Sequence, residues 1–193
     1  NAPGKDPYDF MIVGEGTAAA APAIQVVGGG EIVTNGDTTP DAVDDTDFGT
    51  IVEDVEETNR VFTIGNTGTA ALSLTGTPNR VALSGAGAAQ FVVAVQPGSP
   101  LAAGNSTNFT IRFAPSEAGV HTATVTIANN DAPNDPFTFA VAGTAETRTR
   151  VWTGLGADNL ASTAANWSNN MLPQAVNDIV LDGTSTKDMT WDA

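Results

Sequence analysis

Residues 109–131 read FTIRFAPSEAGVHTATVTIANND. Phe109, Ile111 and Phe113 alternate with Thr110 and Arg112. Beyond the turn at Pro115–Gly119, Ala123, Val125 and Ile127 alternate with Thr122, Thr124 and Thr126. A strict period of two puts one row of side chains on a core and the other in water, so the stretch predicts two half-buried strands joined by a short loop. The segments on either side of it read as further strands of the same sandwich.

Working outward, IQVV and EIV flank Gly28–Gly30 in residues 24–33, and a glycine run that tolerates positive φ predicts a hairpin. Phe48–Val55 and Arg60–Ile64 are the next strands, and Asn66-Thr67-Gly68 is a turn that leads to Leu72 and Leu74 on one face. SGAGAAQ reads as a connection. Phe91, Val93 and Val95 alternate in FVVAVQ, and Phe137, Phe139 and Val141 close the domain. About eight short strands separated by turns predict an all-β, immunoglobulin-like sandwich of two sheets. The cysteine pair of antibody domains is absent, because the chain has no cysteine. Disulfides, thiolate nucleophiles and thiolate metal sites are excluded with it.

The formal charge is −15, from 22 acidic and 7 basic residues. Such a surface repels nucleic-acid phosphates and anionic membranes, so neither is expected as a partner, but it attracts divalent cations. No run of apolar residues is long enough to span a membrane. The chain opens on NAPGKDP and reads as a piece of something longer.

Residues 6–16 read DPYDFMIVGEG and residues 135–145 read DPFTFAVAGTA, at an offset of 129 positions. Ala2-Pro3 precedes the first and Ala132-Pro133 the second. A period of domain size points to a tandem array, with residues 1–16 as the last strand of a preceding copy. Residues 17–23, TAAAAPA, then form a linker that packs poorly and bends easily, and residues 24–145 form the sandwich. An apolar strand at 8–13, YDFMIV, seeks a partner edge, so strand-mediated self-association through it is expected.

The motifs DFG at 47–49, FTIGNTG at 62–68, FAPSEAG at 113–119 and NND at 129–131 occur in that order. Together they resemble the choice-of-anchor D domain of bacterial secreted proteins and, more loosely, the ASPM, SPD-2 and Hydin domains. The resemblance covers residues 22–145 and the strand at 6–16. It implies an immunoglobulin-like sandwich in exported or surface proteins, in tandem and without catalytic residues. The glycine usual between strands near 54–57 is replaced by DVEE, which lengthens or charges that turn. Residues 146–193 differ in texture and hold all three tryptophans, with Ile179–Leu181 as a strand. WTG, ANWS and NDIVLDGTS there are similar to the opening of repetitive β-rich passenger regions, which continue as β-helices. So short a segment buries little alone.

Two sets of residues are candidate sites. Asp37, Asp41, Asp44, Asp45 and Asp47 lie within eleven residues of loop, and carboxylate-rich loops supply the six to eight oxygens that calcium takes. Asn129, Asn130, Asp131, Asn134 and Asp135 form a second, similar group at a strand end. The alternative for both is a solvated turn whose side chains cap backbone amides. Trp152 and Trp167 are candidates for a sugar-stacking platform, against the plainer reading that they are core. An enzyme is not expected: His121 is the sole histidine, no G-x-S-x-G occurs, and the acids concentrate in loops. The leading expectation is a spacer in an extracellular or cell-surface bacterial array, contacting neighbouring repeats. The alternative is an adhesion module that holds a glycan or protein.

Overall fold

The computed structural model describes residue 16, residues 19–174, 177–183, 185 and 187–192. The strand expected at 8–13 therefore lies outside the described residues. Nine strands form two facing sheets. Strands β1 (Ile24–Gly28), β2 (Glu31–Val33), β4 (Thr58–Asn66), β6 (Phe91–Val95) and β7 (Ser106–Phe113) make one sheet in the order β2-β1-β4-β7-β6. The other has the order β3-β9-β8-β5, from β3 (Asp47–Val52), β5 (Val81–Ser84), β8 (Gly119–Ile127) and β9 (Phe137–Glu146). The fold is an all-β, immunoglobulin-like sandwich, as the alternation in 109–131 predicts.

The apolar rows meet between the sheets. Phe62, Phe109, Ile111 and Phe113 face Val125, Ile127, Phe139 and Val141, and all are fully buried. Phe62 stacks on Phe109 with centroids 5.2 Å apart and reaches across to Phe139 at 5.5 Å. Gly143 is the place in β9 where Phe113 needs room, since a Cβ there would lie 2.5 Å from its ring. The β1–β2 hairpin turns on Gly29 and Gly30, both at positive φ. Gly28 has a second role: a Cβ on it would meet the Asp44 carbonyl oxygen at 2.2 Å and the Phe62 ring at 2.7 Å.

Three local expectations differ. A register shift between Val93 and Val95 pairs Val95 with Thr110, so Val95 turns outward and is 53% exposed instead of continuing the buried row. Residues 81–84, not expected as a strand, form the edge strand β5. Its free side is held at Val81, whose N–H donates to Gln96 Oε1 at 3.0 Å and whose carbonyl accepts from Gln96 Nε2 at 2.9 Å. The Gln96 amide thus stands in for one peptide of a further strand. Finally, the DVEE turn places Asp54 at φ 58°, the left-handed conformation a glycine would take more readily. Its neighbour Glu56 secures the turn by accepting from Val52 N–H at 2.9 Å.

The strand registers also set the direction of the chain. Ile24 lies level with Asn66 and beside Asp131, at the end where β9 begins. Glu146 leaves at the other end, level with Val52 and next to Gly119 and Pro115. The chain enters at a leading pole and exits at a trailing pole opposite to it.

Candidate functional site

The acidic loop 37–47 is closed by its own side chains. Asp37 Oδ1 accepts from Thr39 N–H at 2.8 Å and Thr39 Oγ1 at 2.7 Å, which holds the carboxyl below its ordinary range. Asp41 accepts from Val43 N–H, Asp44 from Thr46 N–H and Oγ1, and Asp47 from Gly49 N–H, each two residues on. Asp45 pairs with Arg60 at 3.0 Å. The other four make Asx turns, in which a carboxylate replaces a backbone carbonyl. The five groups do not converge. Among the described residues, no set of three or more acidic, histidine or cysteine side chains is placed to hold a metal ion. As the loop stands these carboxylates serve its turns, and the melting midpoint in millimolar calcium is expected to equal that in EDTA. A rise that magnesium does not reproduce would show a native-state calcium site instead.

The Asn/Asp group at 129–135 is knitted into the leading pole. Asn129 Nδ2 donates to the carbonyls of Ile127 and Asn134, and its Oδ1 accepts from Asp131 N–H. Asp135 accepts from Asn129 N–H at 2.9 Å, and Asn130 bonds Ser73 N–H and the Ala71 carbonyl. Asp131, 4% exposed, accepts from Ile24 N–H at 3.0 Å and from Asn134 Nδ2 at 2.8 Å. These side chains join the two sheets at the place where the chain enters. His121 lies across the sandwich with Nε2 2.7 Å from the Glu117 carbonyl oxygen.

The tryptophan platform is corrected by burial. Trp152 and Trp167 are 3% and 1% exposed and pack edge to face at 5.3 Å. Their indole N–H groups donate to the carbonyls of Lys187 and Ala161 at 3.1 and 2.8 Å. Neither ring offers a face to a sugar. They are the core of the C-terminal segment, with Ala161 and Met189 against them. Beside them the fully buried Asn166 accepts from Gly156 N–H and donates to Asp158 and Leu160. The bond from Thr163 Oγ1, then that from Leu160 N–H, holds the Asp158 carboxyl below its ordinary range. The exposed indole is Trp191, at 68%. It rims a groove of about 190 Å³ with Ser162, Leu172 and Pro173, which the buried Trp167 also borders. No periodicity in the sequence separates this tryptophan from the other two.

At the trailing pole the segment is fastened to the sandwich. Glu53 N–H donates to the Glu146 carbonyl, and Arg148 N–H donates to Glu53 Oε1. Arg150, 2% exposed, donates to the Thr147 carbonyl at 2.7 Å and pairs with Glu146 at 3.3 Å. Strand β10 (Thr149–Val151) then runs parallel to β11 (Asp178–Val180), and Arg148 pairs with Asp178 at 3.0 Å.

A family model described as a HYDIN/CFA65/VesB-like, Ig-like domain matches residues 42–144, just over half of the chain. No curated protein matches it. Among solved structures, a protein of unknown function from Porphyromonas gingivalis W83 is similar at 19% identity, with a TM-score of 0.47, over 66% of this chain and 49% of that one. The ASH / PapD-like domain 7 of human CEP192 is similar at 14% identity and a TM-score of 0.43, over 74% of this chain and 99% of that one. The VesB protease of Vibrio cholerae is similar at 16% identity and a TM-score of 0.39, over 51% and 29%. The chain thus spans about half of the Porphyromonas protein and under a third of the protease. Among the described residues, no helix is long and apolar enough to cross a membrane.

Proposed function

The chain belongs to the HYDIN/CFA65/VesB-like family of immunoglobulin-like domains, and on that premise we propose that it is a non-catalytic spacer, one sandwich in an end-to-end series. The finer choice-of-anchor D assignment, and with it an exported or cell-surface bacterial setting, is part of this proposal. Its support is the run of motifs from DFG at 47 to NND at 131.

One observation carries the array. Of the four identical residues shared by 6–16 and 135–145, three have work to do in β9 or just before it. Phe139, matched by Phe10, is 1% exposed in the core. Gly143, matched by Gly14, is where the Phe113 ring leaves no space for a Cβ. Asp135, matched by Asp6, accepts the Asn129 N–H. The alternation matches as well, since Phe137, Phe139 and Val141 are buried where 6–16 carries Tyr8, Phe10 and Ile12. A chance likeness has no reason to keep the sterically demanded positions.

Opposite poles for entry and exit suit a series, because copies then add length. The adhesion alternative loses its stacking pair to the segment's core. A strand exchange tests the array: DPYDFMIVGEG replaces residues 135–145 in the full chain. The exchanged protein is expected to keep a single cooperative melt and a native far-UV spectrum, while a shuffled insert of equal composition unfolds it. Equal failure of both inserts would sink the reading.

A further inference from the structure

Of the residues 17–23, expected to bend easily, Ala21 and Ala23 are tied down. Ala21 N–H donates to Thr69 Oγ1 at 3.2 Å, and its carbonyl accepts from Thr69 N–H at 2.8 Å and Ala70 N–H at 3.1 Å. The Ala23 carbonyl accepts from Thr67 N–H at 2.9 Å, and Ala23 N–H donates to Asn66 Oδ1 at 3.3 Å. Asn66 is itself fixed: it is 1% exposed and its Nδ2 donates to the carbonyls of Ala70 and Leu101. The chain crosses directly over Gly68, where a Cβ would stand 2.3 Å from the Ala21 carbonyl oxygen and 2.5 Å from Ala23 N. Only a residue without a Cβ lets the two backbones touch here.

The repeat register sets position 16 equal to position 145, the last buried residue of β9. Four residues, 17–20, then separate a preceding sandwich from the clamped Ala21. Gly16 to Ala21 spans at most about 18 Å at roughly 3.6 Å per residue. By comparison, the ten residues of β9 run about 33 Å. The trailing pole of the preceding copy is therefore held close to this leading pole. An open groove of about 480 Å³ lies there, between Ile32, Asn35, Thr67, Asn134 and Phe137, with Ile32 62% exposed.

From the clamp, the short tether and the groove, we infer that the leading pole is a fixed interdomain seat for the trailing pole of the preceding copy. The joint holds one orientation because the chain is fastened to the next sandwich before that sandwich begins. This rests on the array reading above.

The test uses the full chain with an internal duplication, residues 1–145 followed directly by 17–193, which rebuilds the joint between two complete sandwiches. The protein has no native cysteine, so Val61→Cys in both copies, on the solvent face, takes a pair of spin labels. Dipolar spectroscopy is expected to give one narrow distance distribution. Gly68→Ala in the second copy opens the clamp and should broaden it severalfold. Inserting Gly-Ser-Gly-Ser between Ala20 and Ala21, which alters no residue of the sandwich, should do the same. A broad distribution in the unmodified duplication, or a second copy that does not fold, overturns the fixed joint. The strand exchange decides the array separately, so success there with a broad distribution here leaves an array with loose joints.

Discussion

Phe62→Ala is expected to cost the sandwich about 3–5 kcal/mol, the range for removing a buried aromatic from a core that closes only partly around the gap. Phe62 has no exposed surface, and it is the ring through which β4 contacts β7 by Phe109 and the opposite sheet by Phe139. Its edge also fills the space kept open by Gly28, so truncation loosens the hairpin and the acidic loop resting on it. Against a total stability of roughly 5–15 kcal/mol, that loss is a large share. Urea denaturation should show a lower midpoint with an unchanged slope. Val61→Ala is the matched control. Val61 is the next residue along, 53% exposed on the solvent face, and its truncation should shift stability by no more than about 0.5 kcal/mol. Similar losses for both variants would mean that the core at Phe62 is not packed as described.

Trp167→Ala should unfold the C-terminal segment and spare the sandwich. The segment's buried apolar cluster is Trp152, Trp167 and Ala161 with Met189 against it. Taking away an indole costs about 3–5 kcal/mol, a loss that so small a core cannot absorb. It also removes the bond to the Ala161 carbonyl and the edge-to-face contact with Trp152. Hydrogen exchange should show protection lost across 150–192 and kept in β4, β7, β8 and β9. The emission of Trp152 should shift to the red, and it reports the segment cleanly because no tryptophan lies in the sandwich. Loss of protection in both parts would show instead that they fold as one unit, through the Arg150–Glu146 junction.

How much of this was legible in the sequence follows from the range of the forces involved. Alternation in 109–127 and 137–141 is a local signal, and it placed β7, β8 and β9 with their inward rows. The Asx turns at 37–49 are local too, since each carboxylate bonds an amide two residues ahead, as the capping alternative expected. Strand β5 escaped because four residues carry little periodicity and their free side is completed by Gln96, fifteen positions away. The outward turn of Val95 depends on a bulge against β7 that no pattern within FVVAVQ announces. The hold on Ala21 and Ala23 is invisible in the sequence for the same reason. TAAAAPA has the composition of a loose tether, but its hold comes from Asn66, Thr67 and Thr69 more than forty residues on. Trp152 and Trp167 left a platform open beside the plainer reading as core, and their burial and mutual packing separate the two.

The placement of the first and last strands bears on how the sandwich carries tension. β1 lies between β2 and β4, and β9 between β3 and β8, so each terminal strand has a partner on both sides. A pull applied at the two poles runs along the strand axes. It must slide β1 past β4 and β9 past β8 and β3, and the inter-strand hydrogen bonds, which lie across that direction in the antiparallel pairs, take the load together rather than one after another. An edge strand at either terminus would peel away bond by bond. With both termini in sheet interiors, the sandwich resists stretching by shear, and the weak point in a pulled chain moves from the domain to whatever joins it to the next.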